Sequence, residues 1–269
     1  MGPFRKPRPA RAAILLLAIA CLSCLAAGEG TALAERTQVG NLIVSLEGKL
    51  EPRVLPRTHT APIALSLDSK FATTDGQPPP RLRQIAIAIG RRGQLLDAGL
   101  PICRPRQLRA TTPAAARAAC GAARVGYGRI AGQLVLPGGD PVPFSAGLSA
   151  YNSRRKDGGR MILADAHSGN PPTSFMLRFD LRRRGRSGAP TLVAQLPRSI
   201  GRWARVTELE LTLHRLYTYE GKRRSYLSAV CAIPPQFTSL VFPLATVAYT
   251  FTTRKVTIET VRACRVGGR

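Results

Sequence analysis

Apolar residues recur along this chain at every second position, in segments of six to fifteen residues separated by glycine and proline. The spacing predicts a β-rich protein. Asn41–Leu50 reads as a first strand. Glu51–Arg57 holds two prolines and leaves the sheet or follows an edge. Ala64–Ala72 reads as a second strand with Leu65, Leu67 and Phe71 inward. Thr74-Asp75-Gly76 makes a turn, Pro78–Pro80 is a stiff extended link, and Ile85, Ile87 and Ile89 mark a third strand that turns at Gly90–Gly93.

Further strands are expected at Arg124–Leu136, Val142–Ala150, Met161–Ala166, Ser174–Leu181, Thr191–Leu196, Ala204–Leu216, Ser225–Cys231, Thr238–Thr252 and Lys255–Cys264. Alternation slips between Val206 and Leu209, which predicts a bulge near Glu208. Tyr217–Gly221 leads into a tight turn. Many short strands with turn signals at this interval predict an all-β domain, a β-sandwich or open barrel of antiparallel strands.

One stretch breaks the period. From Gly99 to Gly128, Thr112 offers a side-chain oxygen as helix N-cap, Pro113 suits the first helical position, and Ala114–Ala119 are strong helix formers. Gly121 fits a left-handed helix end. A helix this short needs an anchor. Cys103 and Cys120 bracket it with sixteen residues between them, a spacing that matches neither C-x-x-C nor a zinc knuckle. A disulfide there stabilises by roughly 3 kcal/mol in the chain-entropy model.

The chain opens with Arg5, Lys6, Arg8 and Arg11, an apolar run from Ala12 to Ala27, and the small-x-small site Ala32-Leu33-Ala34. This predicts a signal peptide over residues 1–34 and a single secreted domain over 35–269. The apolar run falls short of the roughly 20 residues a spanning helix needs, so no membrane span is expected after cleavage. Cleavage removes Cys21 and Cys24 and leaves Cys103, Cys120, Cys231 and Cys264. An even count in an exported chain implies disulfides. Three pairings exist, and nearness in sequence favours Cys103–Cys120 and Cys231–Cys264.

Charge survives the cut. Residues 1–34 carry four cations and one carboxylate (Glu29), so the net charge falls from +25 to +22. Such a surface attracts polyanions. Basic clusters stand at expected hairpin turns: Arg91-Arg92, Arg154-Arg155-Lys156 with Arg160, Arg182-Arg183-Arg184 with Arg186, and Lys222-Arg223-Arg224. Gathered at one end of a sandwich they would form a basic crown for phosphate or uronate chains, with Arg chosen for its fork geometry. Tyr217, Tyr219, Tyr226 and Trp203 near the last cluster offer rings that could stack on sugars or bases, but most are expected to pack in or cap the core.

Four segments carry a family resemblance: GLPIC…ARAACGAARVGYG at 99–128, ATTDG…PPPRL at 72–82, YN…GGRMILADAH at 151–167, and TYEGKRRSYLSAVC at 218–231. Together they resemble an uncharacterised family of exported, basic, β-rich proteins of high-GC actinobacteria. The resemblance implies secretion and two local disulfides. It also implies an aromatic-Asn-Gly turn near 151–153, where Ser153 replaces the glycine. It implies no activity.

Chemistry-bearing motifs are sparse. There is no G-x-S-x-G elbow, no H-E-x-x-H and no glycine loop opening a helix. His59, His167 and His214 lie far apart. Asp165 and His167 would share one strand face as an exposed hydrogen-bonded pair. Asp140 and Asp157 sit in glycine-rich turns without a second carboxylate at calcium-loop spacing. No catalytic residue, metal ligand or cofactor is expected. The function expected is a secreted or envelope-associated, non-catalytic protein that binds anionic cell-wall or extracellular polymer, and nucleic acid only non-specifically. The alternatives are a secreted hydrolase on a β-sandwich scaffold and a structural module that docks another envelope protein.

Overall fold

The strand of Ala64–Thr73 shows how the fold is built. Leu65, Leu67, Ser69 and Phe71 are buried while their neighbours are half-buried or exposed, so one face of the sheet makes the core. The computed structural model describes residues 34–109, 112–184, 189–197 and 202–267, with the side chains of 183 and 184 left out. The expected signal peptide and cleavage site lie almost wholly outside the described residues, as does Arg186.

In chain order the strands are β1 (Glu35–Val39), β2 (Leu42–Glu51), β3 (Val54–Leu55), β4 (Ala61–Pro62), β5 (Ala64–Thr73), β6 (Leu82–Ile89), β7 (Gly93–Leu95), β8 (Arg124–Leu134), β9 (Val142–Arg154), β10 (Arg160–Gly169), β11 (Pro172–Arg184), β12 (Ala189–Gln195), β13 (Ala204–Leu213), β14 (Leu216–Tyr219), β15 (Lys222–Ser225), β16 (Leu227–Ala229), β17 (Ser239–Phe251) and β18 (Lys255–Val266). Helix α1 (Pro113–Cys120) lies between β7 and β8.

Thirteen strands form one sheet in the order β1-β2-β5-β13-β8-β9-β10-β11-β12-β6-β17-β18-β3. Every pairing is antiparallel except β18 with β3. The sheet curls until β18 lies against β1 and β2. There the closure is a seam of side chains. The Val261 N–H and the Arg262 guanidinium both donate to Glu35 Oε1, at 3.1 and 2.6 Å, and Arg262 Nε donates to the Gly48 carbonyl. Gly48 permits the approach, because a Cβ there would stand 2.8 Å from Thr260 Cγ2. The fold is therefore an open barrel.

Inside, β5 meets β17. The Ser69 and Tyr249 hydroxyls share a hydrogen bond of 2.6 Å, and the Phe71 ring packs edge-on against Tyr249 and Phe251. The alternation read for Leu65, Leu67, Phe71 and the three isoleucines of β6 is borne out. So is the bulge: the β13–β8 register slips between Val206 and Glu208.

A second, smaller apolar layer sits on the outer face of β9 and β10. The connection between β7 and β8 brings Cys103, Leu108, Ala116, Cys120 and Ala123 over Tyr151, Met161 and Leu163. Cys103–Cys120 and Cys231–Cys264 are both bonded. Three further bonds hold the connection to β9: Cys103 N–H to the Asn152 carbonyl, Asn152 Nδ2 to the Pro101 carbonyl, and Ser153 Oγ to the Cys103 carbonyl. With both faces covered, β10 is buried without a break from Met161 to Ala166.

Three local expectations change. Tyr151-Asn152-Ser153 is not a turn but the buried end of β9, because the outer layer fills that face. Gly121 does not adopt a left-handed conformation; its φ is −56°, since a 3₁₀ turn over Gly121–Ala123 continues the helix. The first strand read at Asn41–Leu50 is preceded by another, β1, whose apolar content is too low to show period two.

Candidate functional site

β11 carries the residues that define the surface beside this outer layer. Leu177 and Phe179 point to the core, while Ser174, Met176, Arg178, Asp180 and Arg182 face out. β12 adds Val193 and Gln195, which stand opposite Asp180 and Arg178. Two walls rise over this floor. One is the segment before α1, with Ile102, Arg104, Arg106 and Arg109; its 3₁₀ turn (Pro105–Leu108) is fixed by the Arg104 N–H donating to Gln107 Oε1 at 2.8 Å. The other is the β9–β10 turn, with Arg154, Arg155 and Lys156. Between them lies an open groove of about 1300 Å³. Its lining places eight cations around a single carboxylate, Asp180.

Some of these cations serve the frame. Arg154 meets Asp97 at 2.7 Å, and Arg160 meets the same carboxylate at 3.1 Å while donating to the Leu95 carbonyl. Arg155 sits between Asp157 at 3.1 Å and Asp180 at 3.7 Å. Asp157 also accepts the Gly159 N–H at 3.0 Å, and that bond, with Arg155, holds its carboxyl below the usual range. Arg182 reaches Asp180 at 3.6 Å. Arg104, Arg106, Arg109, Lys156 and Arg178 make no ion pair among the described residues. They are the cations left to meet a ligand.

The basic clusters are thus only partly where the sequence placed them. Arg91 and Arg92 do lie in a turn, and Arg92 stacks over Phe242. Arg182, Arg183 and Arg184 are in strand β11, not in a turn, because that hairpin runs longer than its apolar residues suggested. Lys222, Arg223 and Arg224 form strand β15, paired with β14, and do not line the groove. The structure brings together Arg154, Arg155, Lys156 and Arg182, and it does so on the barrel's outer face rather than as a crown at one end. Sequence reasoning missed Arg104, Arg106, Arg109 and Arg178. Arg178 is in phase with Arg182 on β11, a signal that was present; the other three become neighbours of β11 only through the stapled connection.

The aromatic residues near β15 mostly pack. Tyr226 is fully buried and burial drives its hydroxyl pKa strongly upward. Tyr217 donates to the Ala98 carbonyl at 2.9 Å.

Asp165 and His167 do not line the groove; they project from β10 on the face of Met161 and Leu163, with His167 opposite the groove's Ser174. His167 Nε2 lies 2.7 Å from Asp165 Oδ2. The pair is not exposed as expected: Asp165 is 2% accessible and His167 17%. It lies within the sheet, with Ser149 and Met176 opposite Asp165 and Gly147 and Ser174 opposite His167. Burial pushes the Asp165 pKa up, and His167 opposes that rise.

On another part of the barrel wall, carboxylates of Asp68, Glu208 and Glu210 converge within 4.8 Å. Lys70 and Arg129 pair with two of them, at 3.6 and 3.5 Å, so the group belongs to a lattice of alternating surface charge. Burial, with Glu208 and Glu47 nearby, pushes the Asp68 pKa up against the pull of Lys70.

No family model, no curated protein and no solved structure matches the chain. Among the described residues, no helix is long and apolar enough to cross a membrane.

Proposed function

We propose that the chain is an exported, envelope-associated or extracellular protein without catalytic activity, and that its arginine-lined groove holds an anionic polymer. The observation that carries this reading is the excess of cations over carboxylates in the groove, with five cations free of ion pairs among the described residues. Arginine forks match phosphate, sulfate and carboxylate oxygens two at a time. The two disulfides suit an oxidising compartment. Binding of labelled heparin oligosaccharide, followed by anisotropy, tests the reading. Affinity should fall steeply between 50 and 200 mM salt, as exposed charges are screened. Arg106→Ala and Arg178→Ala should each weaken it by about tenfold, near 1.4 kcal/mol. The triple change of Lys222, Arg223 and Arg224 to Ala should leave most of it. Binding unaffected by the groove substitutions would overturn the assignment.

A second reading rests on the Asp165–His167 pair, which stands beside Ser174 at the groove's end. A carboxylate that orients an imidazole next to a hydroxyl is the arrangement of a serine hydrolase. Turnover of an ester or glycan panel, abolished in Asp165→Ala and His167→Ala, would establish that reading, and a panel with no turnover would remove it.

A further inference from the structure

The groove is not uniformly polar, and this bears on what occupies it. Below the cations its outward-facing floor is carbon: Met161, Met176 and Val193, all buried or half-buried, with Ile102 46% exposed on the wall. A hydrophilic polymer would gain little over such a floor. A volume of about 1300 Å³ also exceeds the roughly 300–1,000 Å³ that holds drug-sized ligands.

We propose that the groove's ligand is an anionic lipid, its phosphate held by Arg106, Arg109, Lys156 and Arg178 and its acyl chain laid along Met176, Val193 and Ile102. This goes beyond the polymer reading and rests only on the premise they share, that the unpaired cations of the groove hold an anion. Charge complementarity selects the headgroup. The two methionines suit the chain, because unbranched, polarisable side chains adapt to a flexible hydrocarbon. The cationic rim around an apolar floor separates the two ends of an amphiphile, as water and core do in the protein itself. Ile102 is explained as well: it stands exposed on the wall, outside both apolar clusters, facing the space a chain would fill.

Calorimetric titration with monoacyl glycerol phosphates of six, eight and ten carbons, kept below their micelle concentrations, tests the proposal. Glycerol phosphate serves as the headgroup alone and a matched phosphocholine as the neutral headgroup. Affinity should rise about fourfold for each added methylene that leaves water, and glycerol phosphate should bind far more weakly. The phosphocholine should lose at least tenfold. Met176→Glu should remove the dependence on chain length. Should that variant fail to fold, Ile102→Asp on the exposed wall should reduce the same dependence while heparin binding persists. Equal affinity for all chain lengths, or chain-dependent binding that both variants retain, would overturn the proposal. Heparin binding without lipid binding would sink this proposal and leave the polymer reading standing; loss of both ligands would sink both.

Discussion

Asp165 Oδ2 lies 2.7 Å from His167 Nε2, and the carboxylate is 2% accessible while the imidazole reaches solvent at 17%. A charge that costs free energy to bury is thus kept next to one partner that reaches the surface. Because burial raises the Asp165 pKa in the folded state above its ordinary 3.8, the folded state binds its proton more tightly than the unfolded state does. The stability this gives is complete below pH 3.8 and is lost as pH rises through the folded-state value. Asp165→Asn keeps a hydrogen-bond acceptor and removes the charge. Urea unfolding should find the variant equal to the parent at pH 3.5 and at least as stable at pH 7. A variant markedly weaker at pH 7 would show that the ionised pair is a net stabiliser.

The barrel seam titrates in the opposite sense. Burial acts to raise the Glu35 pKa, but hydrogen bonds from Arg262 and from the backbone of Glu35 and Val261 outweigh it and hold the group below its ordinary 4.5. Its contribution is therefore present above pH 4.5 and lost as pH falls through the lower folded-state value. Glu35→Gln should flatten that acid limb. Arg262→Met removes the contacts to both Glu35 and the Gly48 carbonyl and should cost about 1.5–3 kcal/mol, the range for hydrogen bonds to charged groups. Thermal melts at pH 7 and pH 4 measure both.

Replacing Cys103 and Cys120 by Ala opens a loop spanning 17 residues and should cost about 3 kcal/mol. The loss is local. Amide exchange should quicken in 101–121 and at Asn152 while β6 and β17 stay protected, and heparin binding should weaken because Arg104, Arg106 and Arg109 lose their fixed wall. Removing Cys231–Cys264, which spans 33 residues, should cost about 4 kcal/mol and loosen β18 instead, with little change in the groove.

Gly99 supports the β14–β15 hairpin. Its φ is +78°, and a Cβ would fall 2.0 Å from the Tyr219 ring. Gly99→Ala should cost about 1–2 kcal/mol for the left-handed backbone alone, with the clash in addition. Faster amide exchange in 216–225 would report the displaced hairpin; an unchanged exchange pattern would count against this packing.

How much of this the chain announces depends on whether one strand carries its own signal. β5 and β6 bury one face only, so Leu65, Leu67 and the isoleucines of β6 are legible by alternation. β10 is covered on both sides, and Met161–Ala166 reads as a plain apolar run that gives a strand but not its second partner. α1 announced itself through Thr112, whose side chain accepts the Ala115 N–H, and through Pro113. The groove was half legible. Arg154–Lys156 and Arg182 stand out as runs, but Arg104, Arg106 and Arg109 reach β11 only by way of the Cys103 staple and the Asn152 and Ser153 bonds. Those are tertiary events with no local periodicity. The burial of Asp165 was hidden for the same reason.

The strand order has a consequence for assembly. β5 finds β13, and β6 lies between β12 and β17, so neighbours in the sheet are separated by more than a hundred residues of chain. Pairings of this kind impose a large loop-closure cost before any reward, and they slow folding. A chain delivered progressively from its beginning can form the β8–β9–β10–β11–β12 meander as it emerges, but β2 and β5 must wait for β13, and β6 must wait for β12 and β17. The exposed edges of that waiting intermediate would favour an escort until synthesis is complete.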